Sequence, residues 1–366
     1  MSGDERATIG AMPMWTKALP VAGLAVLGVA LSTTPGVALS LVCAVTMVGA
    51  VIAAVHHAEV VAHRVGEPYG TLVLAVAITV IEVALIVSLM LSGGATTAAL
   101  PRDTLYATVM IICNGVVGVC LLLGGLRHRE QSFQVAGTGP TLAALVVLCT
   151  ISLVMPVFTT SSPEGTYTPS QLAFVGGVSM ALWAVFVFVQ TVRHRDFFLP
   201  AADAADETQH APPPSAGQAW ASAALLPVSL VVVVGLAKIL SPTIEAMVDA
   251  ASLPKAVVGI AIAMLVLLPE TWAAVRAAGA NRLQTSMNLA LGSALATIGL
   301  TVPAVVVAAS WLGLPLVLGL APKEMALMAM TFLVSAITLG SGRTYLMQGA
   351  VHLVVFAAFV FLAFVP

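Results

Sequence analysis

Two glutamates stand where an ionisable group is hardest to hold. Glu82 interrupts the apolar stretch AVAITVIEVALIVSLM (75–90), and Glu270 follows Pro269 in LVLLPETWAAVR (265–276). A charge at the centre of a spanning helix costs about 2.5–3.5 kcal/mol on insertion scales, so such a residue faces the bundle interior and marks an ion or proton pathway. The plainer alternative for Glu82 is a protonated acid making a structural hydrogen bond between helices. For Glu270 it is a helix-start glutamate near a membrane surface, since anions favour helix N-termini and Arg276 is close by. Pro269 removes a backbone donor and clashes with the preceding turn. It therefore predicts a broken helix, whose freed carbonyls can bind cations where they line a cavity.

The apolar run after each glutamate carries small and polar residues. Asn114-Gly115 and Gly118 lie in the first, and Asn288, Gly292, Ser293, Thr297 and Thr301 in the second. Ser293, Thr297 and Thr301 recur every four residues and so share one helical stripe. Gly292 and Ala296 are expected to let a neighbouring helix approach. Thr79 precedes Glu82 by three residues. Two carboxylates with amide, hydroxyl and backbone oxygens suit a hard cation such as Ca²⁺ or Na⁺. Ordinary membrane-helix packing with polar glue would use the same residue types.

Other residues suggest chemistry less directly. In HHAEVVAH (56–63), His56, Glu59 and His63 share a helical face. Such a triple could hold zinc, or simply form the polar, interfacial end of a span. The four cysteines lie inside apolar runs with no C-x-x-C pair, as buried apolar thiols do. His352 reads as a satisfied interior histidine. No H-E-x-x-H or G-x-S-x-G is present, which argues against an intramembrane enzyme. No resident cofactor is implied, and no basic patch suggests nucleic acid.

The elements that must position these residues follow from composition. The 366 residues are 60% hydrophobic and 8% charged. A soluble domain carries about a quarter charged residues, so the chain is an all-α polytopic protein of the lipid bilayer. Runs near the roughly 20 residues a span needs lie around 17–32, 36–56, 70–92, 104–126, 140–158 and 170–192. A second set lies around 222–240, 255–275, 285–309, 324–340 and 344–365. That gives about eleven transmembrane helices. Residues 1–35 form an extra first span, 36–192 a first five-helix repeat, 193–221 an acidic, Pro-rich linker, and 222–366 a second five-helix repeat. Arginines concentrate in the loops after even-numbered spans, placing the N-terminus and linker in the cytoplasm and the C-terminus outside. Five spans per repeat invert the second repeat against the first. Glu82 and Glu270 then occupy the second span of oppositely oriented units, the architecture of secondary transporters.

Several stretches together resemble a known family. They are GEPYGTLVLAVAITVIEVALI (66–86), RDTLYATVMIICNGVVGVCLLLGG (102–125), PETWAAVRAAGANRLQTSMNLALGSALATIGLTVP (269–303) and GRTYLMQGAVHLVVFAAFVF (342–361). With the span pattern, the chain is similar over nearly its whole length to the cation/proton exchangers of the Ca²⁺/cation antiporter superfamily, specifically the bacterial ChaA-type Na⁺/Ca²⁺–proton antiporters. The resemblance implies a glutamate in each repeat as the core of a cation and proton site, matched by Glu82 and Glu270. It matches the family's first-repeat Asn with Asn114, while the Gly and Ser of that pattern are Val109 and Met110 here, and its second-repeat Gly-Ser with Gly292 and Ser293. An acidic helix that gates access in the family matches AEVVA, with Glu59 at the acid and His56 and His63 beside it. The departures are Ile78-Thr79 for the family's G-N, VLLP (266–269) for its second G-N-x-x, and Ala296 for its usual Gln. They open the selectivity to Na⁺ or K⁺ beside Ca²⁺.

The expected function is export of Ca²⁺ or Na⁺ across the inner membrane in exchange for protons, by alternating access. Desolvation disfavours a bare carboxylate and a nearby cation favours it, so Glu82 and Glu270 should cross either protonated or cation-bound. Asn114 and Ser293 are the expected further ligands, with Thr79, Asn288 and Thr297 as polar lining. A passive cation channel, or a carrier of Mg²⁺ or another divalent ion, are the alternatives. The acidic linker is either a solvated tether or a Ca²⁺-binding regulator.

Overall fold

The computed structural model describes residues 13–33, 36–66, 69–198 and 214–365. The linker acids Asp203, Asp206 and Glu207 lie outside these residues. Among the described residues, eleven helices are long and apolar enough to cross a membrane. They are α1 (Met14–Ser32), α2 (Val37–Val65), α3 (Tyr69–Gly93), α4 (Leu100–His128), α5 (Val135–Phe158), α6 (Pro169–Arg193), α7 (Ala216–Ala250), α8 (Ala256–Gly279), α9 (Leu283–Leu312), α10 (Pro322–Gly340) and α11 (Leu346–Phe364). This is the expected all-α fold of one extra span followed by two sets of five. An unexpected addition is a short antiparallel ribbon, β1 (Glu130–Ser132) with β2 (Arg343–Tyr345), in which Gln131 faces Thr344.

Local sequence explains the helix ends. The Thr168 side chain accepts from the Gln171 backbone N–H, Gln171 Oε1 accepts in return from Thr168 N at 2.8 Å, and Pro169 follows, so α6 starts on a capping box. Glu324 Oε2 accepts from Ala321 N at 3.0 Å beside Pro322 to open α10. Gln348 Oε1 accepts from Tyr345 N at 2.8 Å to open α11. Gly313 closes α9 in the left-handed conformation, at φ 65°, which costs a glycine no steric strain. Between α5 and α6, Tyr167 donates to the Ile151 carbonyl at 2.6 Å. Burial pushes its phenol above the ordinary value, so it remains a donor.

One expectation needs correcting. α8 runs unbroken through Pro269. Proline in a membrane helix is tolerated where its surroundings re-satisfy the freed backbone groups. The irregular turns lie elsewhere and contain no proline: widened π turns occur at Ile111–Val116 in α4, Thr150–Val154 in α5 and Val189–Arg193 in α6.

The helices pack as two compact units. The first comprises α1, α2, α3 and α7 up to Met247; the second comprises α4–α6 and α8–α11. In the first, a Cβ on Gly23 would meet Val232 at 2.6 Å, and one on Gly235 would meet Leu27 at 2.7 Å. Glycine at these points is what lets α1 lie against α7. His57 joins three helices of this unit, its Nδ1 lying 3.1 Å from Ser222 Oγ and its Nε2 2.9 Å from the Thr16 carbonyl.

The second unit is built around α4 and α9. Of each one's most apolar window 72% is inside the protein, against 44% or less for every other span. Glycines again set the distances. α4 and α11 run antiparallel, with Gly115 against Phe356, Gly118 against Leu353, and Gly125 against the Leu346 backbone. Gly349 of α11 closes on the Leu122 backbone from the other side. α9 meets α6 through Gly299 against Trp183 and Gly176 against Pro303.

Candidate functional site

The widened turn of α4 carries Asn114, which is completely buried. Its amide Nδ2 donates to Thr331 Oγ1 of α10 at 2.9 Å. Thr331 in turn donates to the Leu327 carbonyl at 2.8 Å. The other end of the amide, Asn114 Oδ1, is buried without a hydrogen-bond partner among the described residues. An orphaned buried acceptor costs about 1–3 kcal/mol, and π turns recur at functional sites. The position carries a buried oxygen that no described protein group satisfies.

Glu270 is brought to the same depth. α4 and α8 run parallel: Gly259 lies against Asp103 near their starts, and Gly279 against Leu123 and Arg127 near their ends. Glu270 thus falls level with Asn114 on the neighbouring helix. It is a half-buried residue well inside α8, not a helix-start glutamate. Glu82 belongs to the other unit, in the middle of α3, with 2% of its surface exposed. Thr79 lies one turn before it on the same side of the helix; its hydroxyl donates to the Ala75 carbonyl at 2.9 Å. Ser88 donates to the Val234 carbonyl at 3.2 Å and so ties α3 to α7.

The α9 residues separate into three environments. Thr297 and Thr301 are buried and Ser293 is half-buried. Nothing lies within 4 Å of a Cβ on Gly292. That corrects the expectation of a close helix contact there. Gly292 instead borders a crevice lined by Thr138, Thr141, Gln190 and Asn288. Asn288 is engaged at both ends of its amide: Nδ2 donates to the Phe198 carbonyl and Oδ1 accepts from Gln284 Nε2 at 2.9 Å. It ties α9 to the segment that follows α6.

The HHAEVVAH triple does not assemble. Glu59 and His63 are exposed at the end of α2, and the half-buried His56 ring packs against Trp15 and His57. Among the described residues no three His, Cys, Asp or Glu side chains come together as metal ligands. All four cysteines are buried and free.

Two features escaped the sequence reading. Thr331 was one polar residue among many in α10. Asp103 lay just outside the apolar run 104–126, but the helix starts earlier and takes it in, 7% exposed. Its carboxylate is held by Arg102, with Nη2 2.7 Å and Nε 2.8 Å from Oδ1, while Arg102 Nη1 donates to the Gly319 carbonyl at 3.1 Å. The neighbouring Arg-Asp pair was the only signal available in the sequence.

Comparison with known proteins gives the family and the fold. The profile of the family described as Sodium/calcium exchanger protein matches residues 35–192 and again residues 221–365. A candidate ionic transporter of Sinorhizobium fredii, y4hA, is 47% identical over 97% of this chain and 97% of its own length. The sodium-potassium/proton antiporter ChaA of Escherichia coli is 36% identical, covering 90% of this chain and 89% of its own. A solved structure described as the H⁺/Ca²⁺ exchanger CAX shares the fold, with a TM-score of 0.73 at 12% identity, over 98% of this chain and 89% of the other.

Proposed function

Because the chain belongs to the sodium/calcium exchanger family and is a cation/proton antiporter of the membrane rather than an enzyme, we propose that Glu82 and Glu270 carry the cations and protons it exchanges. Asn114 and Ser293 add oxygen ligands, and Thr79 and Thr297 polar lining. Asn288 has the same role at the edge of the crevice. The observation that carries this reading is the orphaned Asn114 carbonyl oxygen, level with Glu270 on the adjacent helix. An amide oxygen and a carboxylate at one level on neighbouring helices are the hard oxygens that a hard cation takes.

The cycle follows from charge. A carboxylate removed from water is stable when protonated or beside a cation, and costly when bare. If only the two loaded states cross between inward- and outward-open forms, proton entry drives cation exit. Sodium and potassium join calcium as candidate cargo, because the Escherichia coli relative is named for sodium and potassium and the family for sodium and calcium. The arginine bias of the loops supports a plasma-membrane protein with its N-terminus and linker in the cytoplasm. Glu59, with His56 and His63, stands at the end of α2, where it could meet ions before they enter.

The test is coupling. In proteoliposomes holding the purified chain, a pH jump should drive uptake of Na⁺, K⁺ or Ca²⁺ against its gradient, with matching proton flow. Cation flux that ignores the pH jump would favour a passive channel instead.

A further inference from the structure

We propose that Thr331 is a positioning residue for cation binding: its hydroxyl holds the Asn114 amide so that the carbonyl oxygen, rather than the NH₂, is presented to the ion. The inference rests on the reading of Asn114 as a cation ligand.

A side-chain amide has one cation-binding end and one cation-repelling end, of nearly the same shape. Something must choose between them. Thr331 has a single hydroxyl proton, which it gives to the Leu327 carbonyl at 2.8 Å. Its oxygen can then only accept, and the Asn114 NH₂ supplies that bond at 2.9 Å. Turning the amide over would oblige the hydroxyl to swing its proton from the Leu327 carbonyl to Oδ1 and give up that bond, leaving the NH₂ without its Thr331 acceptor. Oδ1 is thereby directed away from α10, where among the described residues no protein donor meets it. Met110 Sδ lies 3.3 Å from Thr331 Oγ1 and 3.9 Å from Asn114 Nδ2. It adds a soft acceptor on the same side and reinforces the choice.

Both residues are fully buried, so water does not compete for these bonds. The pair also crosses the chain. The amide stands on α4, in the first set of five spans, and the hydroxyl that orients it on α10, in the second. An amide does not titrate in this range, so its oxygen serves the cation and is silent toward the proton. Loss of the orienting bond should weaken cation binding and leave proton competition where it was.

The experiment uses pH-driven Na⁺ transport in proteoliposomes, repeated with K⁺ and Ca²⁺, for the wild type and for Thr331→Val, Thr331→Ser, Asn114→Ala and the Asn114→Ala/Thr331→Val double variant. Thr331→Val keeps the volume and removes the hydroxyl. It should raise the KM of the transported cation about three- to tenfold, the weight of one hydrogen bond, with Vmax and the shape of the pH profile unchanged. Thr331→Ser should restore the wild-type KM. The double variant should be no worse than Asn114→Ala alone, since no oxygen remains to orient. If Asn114→Ala raises KM but Thr331→Val does not, positioning is overturned and the ligand reading survives. If Asn114→Ala leaves KM unchanged for all three cations, the ligand reading falls and this inference with it. A displaced pH profile in Thr331→Val would assign the hydroxyl to proton movement and also overturn it. Should the valine variant fail to accumulate, Thr331→Ala reads the same KM.

Discussion

Glu82→Gln and Glu270→Gln should each reduce cation/proton exchange in everted vesicles to the level of vesicles lacking the protein, for Ca²⁺ and Na⁺ alike. The amide replaces the acid almost atom for atom, so packing is preserved. What disappears is the negative charge that holds a cation and the oxygen that takes a proton. The variant copies the neutral, protonated acid but can neither release a proton nor hold a cation, so no exchange is expected to remain. Stability should move the other way. Glu82 is 2% exposed within an apolar helix, and ionising an acid at such depth costs about 2.5–3.5 kcal/mol on insertion scales. Glu82→Gln removes any share of that cost that the wild type bears when the acid ionises, so its thermal midpoint in detergent should be no lower than that of the wild type while transport is abolished. In the wild type, lowering the pH on the cation-loading side should raise the apparent KM for the cation with Vmax unchanged, as competition for the same oxygens requires. Full activity in either glutamine variant would remove that residue from the exchange site.

The second large effect lies in packing. Gly349→Ala should lower the yield of folded protein, lower its thermal midpoint and impair transport. A Cβ at this position would stand 2.4 Å from Leu122 N, 2.8 Å from Leu122 Cα and 2.9 Å from the Gly118 carbonyl oxygen. These are backbone atoms and cannot rotate away, so α11 must lift off α4. Overpacking of a tight core typically costs about 1–3 kcal/mol, and a backbone clash belongs at the upper end. Because α4 carries Asn114, the site should be displaced as well. Gly28→Ala is the control: it lies exposed on α1 with nothing within 4 Å of its Cβ position, and it should be neutral or slightly stabilising. Equal melting of the two variants would show that the α4–α11 contact does not limit stability.

The sequence spoke most clearly where physics leaves few options. With so few charges, each long apolar run had to become a helix, and the eleven spans are present. The glutamates stood out because an acid has no cheap reason to sit in such a run. Side-chain pairing was less legible. Asn114 stood out as an amide beside a glycine, but its partner Thr331 is 217 residues away and looks like any membrane threonine. Pro269 misled for a related reason: proline removes one bond, and whether the helix breaks depends on neighbours the local sequence does not contain. The π turn at Ile111–Val116 carries no proline and had no local marker at all. Gly292 looked like a packing glycine and borders open space, whereas Gly349, unremarked in the sequence, is where an added Cβ would run into the α4 backbone. Asn288 was read as polar lining, and its amide is committed to Gln284 and the Phe198 carbonyl.

The glycine seam between α4 and α11 also sets a clock. Gly118 meets Leu353, a residue made long after it. At a ribosomal rate of roughly 5–20 residues per second, the seam face of α4 waits on the order of ten seconds or more for the helix that covers it. During synthesis that face must be sheltered by lipid or by the insertion machinery. The core around Asn114 is therefore among the last parts of the protein to close, and a chain whose translation is interrupted before α11 carries Asn114 and Glu270 on helices whose seam is still open.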